Sequence, residues 1–143
     1  MKVQICENEL IKVETEDFQF FSETRIVEIP RRIVLNFFDD EFVGFVSFNM
    51  RYFNRNAYIT YYVKKEKRGK GYGKKILKYS IDYAFEEMNM NRLTAEVYEY
   101  NEVSIKLLEK FGFKKEGRLK KAKFHNGRYY DIFIYGLLKN ERV

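Results

Sequence analysis

A chain of 143 residues with 45% hydrophobic and 18% aromatic content has the size and apolar fraction of one domain, so a single folded unit over residues 1–143 is expected. Lys plus Arg number 27 against 21 Asp plus Glu, a formal charge of +6 that favours an anionic ligand or partner without naming one. Cys6 is the only cysteine, which excludes an internal disulfide and a cysteine-based zinc or iron–sulfur site and suits a reducing, cytoplasmic setting; no metal is expected. The opening "MKVQICENEL" lacks the apolar core of a leader, and no apolar run approaches the roughly 20 residues that cross a bilayer, so no membrane partner is expected.

Residues 1–31 mix short β-prone pieces with acids and sustain no period; they read as a short, atypical N-terminal part. From Arg32, "RIVLNFF" and "EFVGFVSF" are rich in β-branched and aromatic residues, and Asp39 and Asp40 between them supply turn chemistry, which predicts a hairpin. "AYITYYV" alternates, with Ala57, Ile59, Tyr61 and Val63 on one face and Tyr58, Thr60 and Tyr62 on the other, a third strand. "KKILKYSIDYAFEEM" then places Ile76, Leu77, Ser80, Ile81, Ala84, Phe85 and Met88 at helical spacing. "RLTAEVY" alternates again, so strand, helix and strand form a βαβ unit. Asn101 is a suitable N-cap for a second helix that ends before Gly112, and the rest reads as a hairpin turning at "HNG". The sum is a mixed α/β domain: a mainly antiparallel sheet with one parallel crossover.

Between the third strand and the first helix lies "KRGKGYGKK", Lys67 to Lys75. A P-loop would need glycine where Arg68 stands and Ser or Thr where Lys75 stands. A dinucleotide fingerprint would need G-x-G-x-x-G, whereas Gly69, Gly71 and Gly73 give G-x-G-x-G. With both excluded, R-x-x-G-x-G remains, placed where the first N–H groups of a helix face an anion and where Arg68, Lys70 and Lys74 add charge. Taken alone, such glycines more often only make a turn; the flanking strand and helix favour the anion seat.

Loop and setting resemble the GNAT family of N-acetyltransferases, whose pyrophosphate loop has the pattern Q/R-x-x-G-x-G/A. "NEVSIKLLEKFGF", Asn101 to Phe113, looks like that family's later N-x-x-S/A…G-F segment, and "EGRLKKAKFHNGRYYDIFIYGLL" is similar to the tail of its branch of ribosomal-protein N-terminal and spermidine acetyltransferases. The resemblance implies helices on both faces of the sheet. It also implies an enzyme that moves the acetyl group of acetyl-CoA to a primary amine by direct attack in a ternary complex. In that reading the pyrophosphate lies on Arg68, Gly69, Lys70, Gly71, Tyr72, Gly73 and Lys74. The pantetheine arm runs along Tyr61, Tyr62 and Val63 like an added strand, with the Val63 N–H a donor to the thioester oxygen. Asn101 and Ser104 match positions that contact the arm, although an N-cap Asn and first-turn Ser also serve the helix itself. The strands are implied to splay into a slot between Tyr61–Val63 and Ala95–Tyr98.

Many family members carry a tyrosine four residues before the glycine of G-F, acting on the departing sulfur; here that position is Leu108. A thiol near pKa 8.5 leaves ahead of an amine near 10.4 with little acid assistance, and Tyr98, Tyr100 and Tyr130 are the candidates to take the role. Glu96, beside the expected slot, is the first candidate base, ahead of Glu28 and Asp131; a carboxylate paired with a surface cation is the plainer role for each. His125, beside "NG" in a turn, is read as exposed. Acceptors left open are a protein N-terminus, an amino sugar nucleotide and a small amine, the positive charge arguing mildly against polyamines. A homodimer is compatible. Two rival readings are a catalytically silent CoA-binding or regulatory module and a basic nucleic-acid binder, the latter disfavoured because lysines and acids intersperse over both helices and the last hairpin.

Overall fold

The computed structural model describes residues 1–4, 16 and 31–142; most of the N-terminal segment, Glu28 included, lies outside the described residues. Strand β1 (Arg31–Asp39) turns through Asp40, at φ 62°, into β2 (Glu41–Arg51), and the short Asp side chain tolerates that left-handed position. Strand β3 (Asn56–Val63) comes next, then helix α1 (Tyr72–Glu86), strand β4 (Arg92–Tyr98), helix α2 (Glu102–Lys110), and strands β5 (Lys114–His125) and β6 (Arg128–Leu138). The six strands form one sheet in the order β1-β2-β3-β4-β6-β5, antiparallel except between β3 and β4. The closing hairpin turns on Asn126 and Gly127, at φ 51° and 74°, the pair of positive angles of a type I′ turn.

Register settles which side chains share a face. Phe48 pairs with Ile59, Met50 with Ala57, Ala57 with Leu93, Leu93 with Leu137 and Ala95 with Tyr135. These residues form one buried cluster with Ile76, Leu77, Ile81, Ala84 and Phe85 of α1 and Leu108 of α2. Both described helices therefore cover the same face of the sheet. No α-helix covers the opposite face among the described residues. The helical stripe is as the spacing predicts up to Phe85; Met88 lies past the end of α1 and is half-buried, while Met90 is fully buried. Each large side chain so enclosed contributes about 1.5–3 kcal/mol relative to exposure.

The near end of the parallel pair is fastened on several sides. Arg55, in the left-handed turn before β3, bonds the Asn89 carbonyl at 3.0 Å and the Met88 carbonyl, and its own carbonyl accepts the Asn91 N–H at 2.8 Å. The Thr94 hydroxyl donates to Asn56 Oδ1 at 3.0 Å, and Arg92 pairs with Glu116 of β5. Parallel pairing then stops after three partner pairs, at Tyr58 and Thr94.

Candidate functional site

Beyond Tyr58 the strands part, and the space between them is a slot of about 320 Å³. Tyr61 from β3, Glu96 and Tyr98 from β4, and Asn101 and Ser104 from the start of α2 border it. The Lys64 N–H bonds the Val43 carbonyl of β2; because backbone groups alternate sides along a strand, the Val63 N–H turns away from β2, and Val63 borders the cavity at the loop that follows. Its carbonyl accepts the Arg68 Nε–H at 2.9 Å, which holds the following loop against the end of β3.

That loop borders a second cavity of about 690 Å³ with Tyr61, Tyr62, Val63, Arg68, Gly69, Gly71, Tyr72, Gly73, Lys74, Asn101 and Ser104 among its walls. Gly69 and Gly71 sit at φ 75° and 85°, and a Cβ at either would meet nothing within 4 Å, so the backbone here is bare toward open space. Gly71 is the N-cap of α1 and offers no side chain to it, leaving the first-turn N–H groups uncapped from that side. The Lys74 side chain beside it pushes the Lys110 ammonium below the ordinary lysine value, as expected of two cations held together where an anion would relieve them. Bare glycine backbone, uncapped helix N–H groups and clustered cations fit a pyrophosphate.

A third cavity, about 200 Å³, opens on the sheet face opposite the helices, where Arg32, Ser47, Asn49, Arg51, Thr60 and Glu96 surround it. Arg51 is buried at 4% exposure, bonds Asn49 Oδ1 at 2.9 Å and stands 5.1 Å over the Tyr58 ring. The three cavities adjoin in sequence. Tyr61, Asn101 and Ser104 border the loop cavity and the slot; Ile59, Thr60 and Glu96 border the slot and the opposite-face cavity.

The structure thus brings most of the expected residues together, with exceptions. Lys70 is exposed and borders none of these cavities. The Tyr72 hydroxyl is held 2.5 Å from Asp39 Oδ2, so only the rest of its side chain and its backbone are offered to the loop cavity. Asp131 is occupied structurally: it accepts the Lys121 N–H at 2.9 Å where β5 bulges, and it pairs with Arg118 at 3.4 Å. Tyr100 stacks on the exposed His125 at 5.1 Å and meets Tyr130 edge-on at 4.9 Å, and neither tyrosine borders the slot. Tyr98 does border it, at an exposed rim beneath the Lys123 ammonium, 4.5 Å from the ring. Sequence reasoning missed Lys67, Val103 and Leu107 in the loop cavity, and Thr60, Arg32 and Arg51 on the way to the opposite face. The alternation of β2 and β3 places Asn49, Arg51, Tyr58 and Thr60 on one face, a signal that was available; nothing in sequence brings Arg32 beside Glu96. Among the described residues no group of three or more His, Cys, Asp or Glu could hold a metal ion, and no described helix is long and apolar enough to cross a membrane.

The profile of the Acetyltransferase (GNAT) family matches residues 5–113. The uncharacterized N-acetyltransferase p20 of Bacillus licheniformis is 39% identical over 71% of this chain and 58% of its own length. A provisionally named ribosomal N-acetyltransferase, YdaF of Bacillus subtilis, is 36% identical over 73% of this chain and 57% of its own. The dodecameric structure of spermidine N-acetyltransferase from Vibrio cholerae superposes with a TM-score of 0.71 at 28% identity, covering 81% of this chain and 69% of that one. The chain spans less than two thirds of the length of both curated relatives.

Proposed function

The chain belongs to the acetyltransferase (GNAT) family, and from that premise we propose that it is an N-acetyltransferase moving the acetyl group of acetyl-CoA onto a primary amine by direct attack. The observation that carries this reading is the slot itself: parallel strands that part beside an uncapped, glycine-bounded helix N-terminus. When bound, acetyl-CoA supplies an acyl group activated as a thioester. Arg68 to Lys74 hold its pyrophosphate through backbone N–H groups and cations, with Lys67 adding charge and Lys70 standing outside the cavity. The Val63 N–H, turned away from β2, receives the thioester oxygen where negative charge develops.

Glu96 is the base. With Ile59 and Thr60 it borders both the slot and the opposite-face cavity, and of the three it alone has a carboxylate to take the proton that the attacking amine must lose. The amine accordingly enters from the face opposite the helices. Arg32 and Arg51 border that entrance, and Glu96 is its only carboxylate among the described residues. A polycationic acceptor is disfavoured by such a wall, whereas a peptide N-terminus or an amine carried beside an anionic group, as in an amino sugar nucleotide, suits it. A reducing, cytoplasmic setting, consistent with the lone cysteine, belongs to the same reading.

The test is release of free CoA thiol from acetyl-CoA against a panel of peptides, amino sugar nucleotides and polyamines. Turnover with a peptide or anionic amine in preference to spermidine is expected. Tight acetyl-CoA binding with no acceptor found in the panel would instead favour a silent CoA-binding module.

A further inference from the structure

Strand β1 has β2 on one side and, among the described residues, no strand on the other, so its outer edge carries unpaired backbone groups. Register tells which residues present them. The Lys64 N–H bonds the Val43 carbonyl, so along β2 the backbone groups of Val43 turn to β3 and those of Val46, Phe48 and Met50 turn to β1. Their partners Leu35, Ile33 and Arg31 point inward, and the N–H and C=O groups of Arg32, Val34 and Asn36 point out from the edge. Beside that edge a groove of about 770 Å³ opens between β1 and α1, with Leu35, Phe37, Phe38, Ile76 and Tyr79 among its walls. Phe38 is 70% exposed and Tyr79 57%. Charge, the usual means of blunting an edge strand, is confined to the two ends of β1: Arg31 and Arg32 at one, Asp39 at the other.

We propose that this edge pairs with the same edge of a second copy of the chain, antiparallel about a two-fold axis at Leu35, joining two six-stranded sheets into one. The strand "RRIVLNFFD" is complementary to itself in that register. Arg31 opposes the partner's Asp39, Ile33 the partner's Phe37 and Leu35 the partner's Leu35, all on the face that α1 covers. Val34 opposes the partner's Asn36, and because both turn their backbone groups outward they exchange N–H···O bonds. The Leu35 and Ile33–Phe37 pairs are then of the non-hydrogen-bonded kind, which brings side chains closest, so the seam continues the apolar layer to which Ile33, Leu35 and Phe37 already belong. Moving the axis by one residue, to Val34 or Asn36, keeps the hydrogen bonds but takes Asp39 away from Arg31. Both charged ends have capacity for the pairing. Arg31 gives one N–H to the Tyr52 hydroxyl at 3.3 Å out of five, and Asp39 uses Oδ2 on the Tyr72 hydroxyl, leaving Oδ1.

Sedimentation velocity over a concentration series tests this, and the unaltered protein should form a dimer that dissociates on dilution. Arg31→Asp and Asp39→Arg, each alone, set like charges against each other at both ends of the seam and should weaken the dimer about tenfold or more. Mixed in equal amounts, the two variants are complementary at both ends and should return the dimer to within about threefold of its original strength. Val34→Pro removes an outward N–H without touching the ladder to β2, a place where an edge strand tolerates proline, and should leave a monomer. A monomer in the unaltered protein at every concentration overturns the proposal and leaves the edge to a strand of a different protein. A dimer that both charge variants and Val34→Pro leave unchanged overturns it in favour of another face, and weakening in both charge variants without recovery on mixing overturns the register.

Discussion

Tyr58 and Thr94 are the last parallel partners between β3 and β4, and the slot begins where their pairing ends. Three side chains lace the near side of that boundary, with Arg92 Nε donating to the Thr94 hydroxyl at 3.2 Å and that hydroxyl donating to Asn56. On the far side α2 spans the gap, where Ser104 reaches Tyr61. A strand pair fastened at one end and bridged by a helix at the other leaves unpaired backbone N–H groups facing the opening, which is what an extended ligand needs in order to add itself as a strand.

The bare glycine loop makes the first prediction. Gly71→Val places a branched side chain at φ 85°, where an L-residue is strained by roughly 1–2 kcal/mol, and projects it into the space proposed for the pyrophosphate. Acetyl-CoA affinity measured by calorimetry should fall at least tenfold. Gly127→Val, at a comparable φ of 74° in the far hairpin turn, carries similar strain and should bind normally. Equal affinity in both variants would remove the loop from the site.

Glu96 has the role of base, and Glu96→Gln keeps its size while removing the proton acceptor. Turnover should drop by about 10²–10⁴, the range that general-base assistance supplies, with acetyl-CoA binding preserved because Glu96 stands away from the loop cavity. Steady-state kinetics beside calorimetry separates the two, and undiminished kcat would assign the proton to another acceptor.

Asn101 serves helix and site together. Asn101→Ala removes the cap that its Oδ1 provides to the Ser104 N–H and should cost about 1 kcal/mol in denaturant unfolding. Asn101→Ser, another good cap, should recover most of that stability. If it recovers stability but not acetyl-CoA affinity, the amide has a part in binding beyond capping.

Stability should fall in alkali. Burial holds the Tyr61 phenol above its ordinary value of 10.0, and burial, followed by the Glu109 charge and the hydrogen bond to it, does the same for Tyr135. Both are protonated in folded and unfolded chains below pH 10, so the full contribution is present there; above it the unfolded chain releases the protons first, and stability declines as pH rises through the folded values. Denaturant unfolding between pH 8 and about 11 should show this decline, and Tyr61→Phe should make it shallower.

Much of the architecture is legible from the sequence for a local reason. Alternation in Ala57–Val63 and Arg92–Tyr98, the apolar stripe from Ile76 to Phe85, the Asn101 cap and the Asn126–Gly127 turn are each set by interactions within a few residues, and each appears where the spacing puts it. The loop glycines belong to the same class, because their spacing alone excludes two other phosphate cradles and the positive φ angles of Gly69 and Gly71 are a property of the backbone itself.

The tertiary structure decided what depends on elements far apart in the chain. Lys74 and Lys70 look equivalent as letters, yet the first borders the loop cavity and the second does not, because only Lys74 lies on the face of α1 turned toward the α2 end carrying Lys110. Asp131 and Glu96 are both acidic strand residues; the β5 bulge takes up the first, and the parting of β3 from β4 leaves the second between two cavities. Tyr61 meets Ser104 across 43 positions of sequence because a crossover helix carries β4, and with it α2, back beside β3. Periodicity fixes which way a side chain faces on its own element, and only packing determines which other side chain it finds there.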